Sequence, residues 1–263
     1  MDMDRIKRAG IAAAYQGGEI LRTYFGNIST IQKKGERDLV TEADLKSEKK
    51  IIETIKSRFP DHGFLAEESG SEKADTDAKW IIDPLDGTTN FAHGLPIFAV
   101  SIAFSFKEEV LAGIVLNPMT AQLYTAIRGE GAQLNGKPIH VSRREGIGDC
   151  LLATGFPYNL KDTLPRIMER FSSCAASARG IRRLGAAAID LCLVASGIYD
   201  AFWEENLKPW DVAAGTLIAS EAGATISDFN GGPFVIGANA LLVSNGRIHS
   251  EMVNHLCGGS STP

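Results

Sequence analysis

Cysteine is scarce in this chain, and none of it is paired by spacing. Cys150, Cys174, Cys192 and Cys257 stand far apart, with no C-x-x-C among them. That pattern argues against a disulfide framework and for core thiols in a reducing compartment. The five histidines, His62, His93, His140, His249 and His255, lack zinc-ligand spacing. No apolar run is long enough to span a bilayer as a helix. An excess of basic residues is also missing. The net charge of -5 argues against nucleic acid as the main ligand, and no basic, aromatic-rich patch offers direct RNA contact. The N-terminus carries Asp2 and Asp4, and its Ala-rich run continues as an amphipathic stripe of Ile6, Ala9, Ala13, Ile20, Leu21 and Tyr24. This reads as a helix and not as a signal peptide. These absences leave a cytoplasmic enzyme as the expectation, with no membrane and no direct nucleic-acid partner.

What is present suffices for a real core. A chain of 263 residues, 44% hydrophobic and 22% charged, can form one large domain or two closely packed halves. Helical periodicity marks residues 4–25 and 42–58, with Thr41 and Asp44 spaced as a capping box before the second. Residues 70–77 are polar and read as a loop. Strands are expected at 99–106, 110–116 and 122–127, and Asn135-Gly136 signals a hairpin leading into 139–141. Past residue 145 the pattern changes. Strands at 151–155, 181–184, 199–203, 224–228 and 240–244 then alternate with helices at 163–177, 186–197, 210–222 and 248–256. The expectation is an α/β protein, with an α+β N-terminal half (1–145) and an α/β C-terminal half (146–263) packed as one unit.

The most informative stretch is Trp80-Ile81-Ile82-Asp83-Pro84-Leu85-Asp86-Gly87-Thr88-Thr89-Asn90. Three apolar residues read as the end of a buried strand, and two carboxylates follow with Pro84 between them. Pro84 and Gly87 fix a bend, so Asp83 and Asp86 can point into one space. Carboxylates held close repel each other unless a cation lies between them. Oxygen donors favour Mg²⁺ or Mn²⁺, and the backbone N–H groups of Gly87 and Thr88 suit a phosphate. Metal and phosphate together point to phosphoryl transfer or phosphate-ester hydrolysis.

Asp44, Glu67 and Asp211 also lie at the edges of expected elements, where side chains can converge across a crevice. Each has a plainer explanation by itself. Asp44 completes a capping box, Glu67 and Glu68 are loop charges, and Asp211 follows Pro209-Trp210 at a helix start, where the helix dipole favours it. Spacing alone does not bring them together.

Longer motifs carry more weight. The run W-I-I-D-P-L-D-G-T-T-N-F at 80–91 closely resembles the first signature of the inositol monophosphatase family. Lys208-Pro209-Trp210-Asp211-Val212-Ala213-Ala214-Gly215 resembles the second, W-D-x-A-A-G. Asp38-Leu39-Val40-Thr41-Glu42-Ala43-Asp44 is similar to D-L-V-T-x-x-D, and Ala66-Glu67-Glu68-Ser69 to G/A-E-E-S. Order and spacing agree over nearly the whole chain.

The resemblance implies a layered αβαβα sandwich, a homodimer and a Mg²⁺-dependent, Li⁺-sensitive phosphatase with two or three metals per site. It places one Mg²⁺ on Glu67, Asp83 and the Leu85 carbonyl, and a second on Asp83, Asp86 and Asp211. Glu67 and Thr88, with Asp44 behind them, would orient the attacking water for direct in-line displacement. Asp86, Gly87 and Thr88 would contact the phosphate. Gly185, Ala186, Ala187 and Glu204 would line the alcohol side, with Asp211 beside them. The family often carries Ser or Thr where this chain has Ala186, so one polar contact to the substrate is missing.

Phosphate monoesters hydrolyse slowly because the barrier is largely electrostatic, and paired cations answer that barrier from both sides. A haloacid-dehalogenase reading needs D-x-D-G-T, and the spacing here is one residue longer. Within the resembled superfamily the expected substrate is myo-inositol 1-phosphate. Fructose 1,6-bisphosphate stays open, with Arg182 and Arg183 as candidates for a far phosphate. Some bacterial relatives also act through the transcription machinery, which keeps a regulatory role as a further alternative.

Overall fold

The computed structural model describes residues 1–27, 31–33, 39–72, 76–157 and 160–257. In chain order these form α1 (Met3–Tyr24), β1 (Ile31–Lys33), β2 (Leu39–Thr41), α2 (Glu42–Lys56), β3 (Gly63–Ala66), β4 (Gly70–Glu72), β5 (Ala78–Asp86) and α3 (Thr88–Ala92). Then follow β6 (Ala99–Phe106), β7 (Glu109–Asn117), β8 (Gln122–Ile127), β9 (Ala132–Leu134) and β10 (Lys137–Ile139). The rest comprises β11 (Leu151–Thr154), α4 (Leu160–Ser177), β12 (Gly180–Arg182), α5 (Ala187–Ala195), β13 (Ala201–Glu205), α6 (Pro209–Glu221), β14 (Thr225–Ser227), β15 (Ala240–Ser244) and α7 (His249–Leu256).

Alternation along the strands sets the layers, because successive side chains leave opposite faces of a sheet. The first sheet has eight strands in the order β10-β9-β8-β7-β6-β5-β3-β4. Trp80, Ile82, Val100, Ile102, Phe104, Ala112 and Ile114 leave one face and pack under α1 and α2. Ile81, Ala103, Val115 and Tyr124 leave the other face and meet α5 and α6. A second sheet, β12-β11-β13-β15-β14, lies on the far side of α5 and α6 through Ala153, Phe202, Leu241 and Val243. Its outer face, Leu152, Trp203 and Leu242, is covered by α4 and α7. The result is five alternating layers, the expected αβαβα sandwich.

Helices α5 and α6 come from the C-terminal half and pack on the N-terminal sheet, so the halves share their middle layer. The approach is close. A Cβ built on Gly113 of β7 would lie 2.7 Å from the Ala214 carbonyl of α6. Both helices are largely apolar and buried along most of their length, as an inner layer requires, with Asp190 of α5 a buried exception.

One local reading differs from the structure. Residues 70–72 pair with β3 as a short edge strand where the polar composition suggested a loop. The second sheet is mixed: β11 runs parallel to β12 and β13, whereas β15 is antiparallel to β13 and β14. Strand direction depends on how the chain returns, and hydrophobic pattern does not encode it. Cys150, Cys174 and Cys192 are buried, and among the described residues no helix is long and apolar enough to cross a membrane.

Candidate active site

In a regular strand Asp83 and Asp86, three residues apart, would leave opposite faces. A β-bulge prevents this. Asp83 pairs with Ser101 and Asp86 with Ala99, so three steps on β5 answer two on β6. The extra residue resets the parity and turns both carboxylates toward the α5–α6 layer, while Leu85 stays buried on the other side. The Leu85 N–H donates to Asp83 Oδ1 at 2.9 Å, and Ser47 Oγ donates to the Pro84 carbonyl at 3.1 Å, which fixes the bulge.

The other acids arrive from neighbouring elements. Strand β3 runs parallel to β5 with Ala66 opposite Ile82, so Glu67 emerges beside Asp83. The Glu48 carboxylate accepts from the Glu68 and Ser69 N–H groups at 2.8 and 2.9 Å and holds that turn. Asp211 lies in the first turn of α6, where it accepts from the Lys208 N–H at 2.7 Å. It therefore caps its helix and also lines the cavity described below.

These groups line one cavity of about 200 Å³. Its wall includes Glu67, Asp83, Leu85, Asp86, Asp211 and Glu204. Gly87, Thr88, Gly185 and Ala187 line it too. A larger groove of about 630 Å³ beside Val110, Leu217 and Phe234 mixes opposite charges and has no convergent carboxylates.

Asp44 is wholly buried below the cavity floor. Thr41 donates to its Oδ2 through both N–H and hydroxyl, at 2.9 and 2.5 Å, which is the capping box at the start of α2. Its other oxygen lies 3.3 Å from the Thr88 hydroxyl, and that hydroxyl also lies 3.0 Å from the Leu85 carbonyl. Asp38, the first residue of that motif, falls outside the described residues.

Asp86 has a structural task that the sequence did not suggest. It accepts from Ala187 N and Ala188 N at 3.1 and 2.8 Å and so caps α5 from a hundred residues away. Ala186, at the cap position, offers no side-chain oxygen of its own. It is buried, and its Cβ lies 3.2 Å from where a side chain on Gly87 would begin. Ala186 thus packs behind the floor and does not line the cavity. Gly87 sits at φ 93°, a left-handed conformation suited to glycine, with no room for a Cβ beneath the Ile97 carbonyl.

The electrostatics follow from crowding. Burial, then the negative charges of Glu67, Asp86 and Asp211, hold the Asp83 carboxyl well above the usual carboxylate range. Asp86 is pushed up to about 7 by burial and Asp211, against the α5 amides that favour its ionised form. Glu204 is pushed up to about 8 by burial and Asp211, with Arg183 opposing.

Among the described residues every candidate donor here is oxygen and no Cys or His lines the cavity, so the set fits a hard divalent cation better than a soft metal. Among the described residues no three acidic, imidazole or thiol groups close on one point as a preformed cage. The acids stand around the cavity, where a cation would draw them inward.

Six cavity residues were not assigned to the site beforehand: Thr89, Gly155, Phe156, Leu207, Lys208 and Trp210. For Gly155 and Phe156 a signal existed, because they follow the carboxyl end of β11, where ligands bind in α/β sheets. The structure also separates the arginine pair. Arg183 lines the cavity with its guanidinium 5.9 Å from the Phe156 ring centre, whereas Arg182 lies in another groove with Arg144 and Arg179.

Comparison with known proteins places the chain in a family. Residues 2–260 match the Inositol monophosphatase family. The chain is 44% identical over 238 residues to an inositol-1-monophosphatase of Synechocystis sp., covering 90% of this chain and 83% of that one. It is 42% identical over 249 residues to the Nus factor SuhB of Vibrio cholerae, covering 94% and 93%. The crystal structure of the extragenic suppressor protein suhB from Bartonella henselae superposes with a TM-score of 0.92 at 38% identity, covering 95% and 98%. With the fold, the order of the motifs and their convergence in one cavity all in agreement, the chain belongs to the inositol monophosphatase family of phosphatases.

Proposed function

We propose that this protein hydrolyses a phosphate monoester, with myo-inositol 1-phosphate as its main substrate, at the cavity between β5, α5 and α6. The observation that carries the reading is the convergence of Glu67, Asp83, Asp86 and Asp211 around the Gly87-Thr88 turn. Glu67, Asp83, Asp86, Asp211 and the Leu85 carbonyl would hold Mg²⁺, with Mn²⁺ as a substitute. When bound, the cations supply charge to the phosphate and its leaving group and lower the pKa of water.

The chain's own groups do the rest. The first N–H groups of α3, at Thr88 and Thr89, have no partner within the helix and suit phosphate oxygens at the cavity floor. The Thr88 hydroxyl has one proton and two acceptors in reach, Asp44 and the Leu85 carbonyl. The Asp44 carboxylate is the stronger acceptor of the two, so that hydroxyl would donate to Asp44. A Thr88 lone pair is then left to accept from water, and Glu67 orients the same water from β3. The attack is in line and leaves no phosphoenzyme. Glu204, across the cavity, accepts hydrogen bonds from hydroxyls of the leaving alcohol.

Mg²⁺-dependent phosphate release, measured side by side on myo-inositol 1-phosphate and fructose 1,6-bisphosphate, tests the reading. Preference for the inositol ester supports it. Preference for the bisphosphate keeps the chemistry and changes the substrate, and no release from either refutes it. We further propose a cytoplasmic homodimer whose activity Li⁺ inhibits by competing for a Mg²⁺ position. A second reading, partner binding alongside catalysis, is favoured by relatives named Nus factor SuhB. Pull-downs from lysate with wild type and Asp86→Asn separate the two roles.

A further inference from the structure

Strands β11 and β13 run parallel with Ala153 opposite Phe202 and Thr154 opposite Trp203. Ala153 and Phe202 face the inner helices, so two residues on, Gly155 and Glu204 face the same way as neighbours. A Cβ on Gly155 would lie 1.9 Å from Glu204 Oε2 and 2.1 Å from its Cδ. The Glu204 carboxylate thus occupies the space where any other residue at 155 would place its side chain.

Gly155 is not required here for a left-handed turn, because its φ lies outside the positive range where the other special glycines sit. Its requirement is volume. The collisions at Gly17, Gly113 and Gly215 involve Ile51, Ala214 and Leu191, which are packing contacts away from the cavity. At Gly155 the displaced atoms are a carboxylate on the cavity wall. Thr154 fixes the height of this seat, since its hydroxyl donates to the Trp203 carbonyl at 2.9 Å and ties the two strand ends together. Behind them Glu205, on the opposite face, is bound by Arg166 and Arg170, which anchors the end of β13.

We propose that Gly155 is a positioning residue that sets substrate preference: the empty volume at its Cα seats the Glu204 carboxylate toward the leaving group, and this selects polyhydroxylated alcohols over plain esters. The inference rests on the phosphatase reading above. In Gly155→Ala the carboxylate must swing out of its seat, while the hydrogen bonds that hold Asp83, Asp86 and Asp211 to Leu85, α5 and Lys208 stay in place.

The test uses the full-length Mg²⁺-loaded enzyme with myo-inositol 1-phosphate and with p-nitrophenyl phosphate, whose leaving group has no vicinal hydroxyls. Gly155→Ala is expected to raise KM for the inositol ester about tenfold, the scale of a lost charged hydrogen bond, and to leave the aryl ester within about twofold. Glu204→Asp, shorter by one carbon–carbon bond of about 1.5 Å, fits beside the added methyl group and should recover part of the loss in the double variant. An unchanged KM for the inositol ester in Gly155→Ala overturns the proposal. So does an equal fall for both esters, or a double variant no better than Gly155→Ala alone. If wild type cleaves only the aryl ester, the inositol assignment has failed and not the seat. A crystal structure of Gly155→Ala then decides, with a displaced Glu204 carboxylate supporting the proposal and an unmoved one overturning it.

Discussion

Removing the divalent cation should make the stability of this protein fall steeply as pH rises, and restoring it should flatten that dependence. Asp86 and Glu204 are raised from 3.8 to about 7 and from 4.5 to about 8. Between these limits the folded, metal-free protein holds protons that the unfolded chain has already lost. Stability then decreases with pH, because the slope follows the protons bound by the unfolded state minus those bound by the folded one. The loss begins above the unfolded values and is complete once pH passes the folded ones. At 1.36 kcal/mol for each pKa unit, Asp86 alone would account for about 4 kcal/mol between pH 4 and 7. Water in the cavity screens both groups, and Glu204 is partly open to it, so about 2 kcal/mol is the expected net loss. For a chain of this size that is a Tm drop of roughly 4–8 °C. Urea unfolding at pH 5.5 and 8.0 in EDTA should show the loss, and millimolar Mg²⁺ should remove most of it by replacing protons as the counter-charge. A pH-independent midpoint in EDTA, or an equal slope with and without Mg²⁺, refutes the electrostatic account of the site.

Further outcomes follow from single contacts. Asp86→Asn keeps an acceptor for one α5 amide but loses the charge, so kcat should fall about 10²–10³-fold with an unchanged circular dichroism spectrum. Near-normal turnover would remove Asp86 from the machinery. Arg183→Ala should lower activity on fructose 1,6-bisphosphate relative to the inositol ester by about tenfold, whereas Arg182→Ala, in a separate groove, should leave the ratio within about twofold. Equal effects of the two variants would refute that distinction. Gly113→Ala places a Cβ against the Ala214 carbonyl and should cost about 1–3 kcal/mol of stability by chemical denaturation, through overpacking between the middle layer and the first sheet.

Much of the fold was legible because its signals are local. The amphipathic stripe of α1, the Thr41–Asp44 capping box and the alternating strands from 99 to 127 all depend on neighbours within a few residues. The short edge strand 70–72 was missed for the opposite reason: its polar residues gain their pairing only from β3. Strand direction in the second sheet was hidden in the same way, since pairing partners lie tens of residues apart.

The site divides along the same line. The sequence determined which residue types are available: the acids at 44, 67, 83, 86 and 211, the glycine at 87 and the hydroxyl at 88. It also determined, through signature order, the family to which they belong. Only the tertiary structure decided that all but Asp44 line one cavity, with Asp44 beneath its floor. The bulge between Asp83 and Asp86 sets side-chain parity through pairing with β6, and the parallel register of β3 and β5 brings Glu67 alongside. Asp86 became the cap of α5, Ala186 withdrew behind Gly87, and Arg183 parted from Arg182. Gly155 acquired meaning only when β13 placed Glu204 over it. Each of these depends on distances between segments remote in the chain, and those distances are set by packing the layers and not by any residue's own preference.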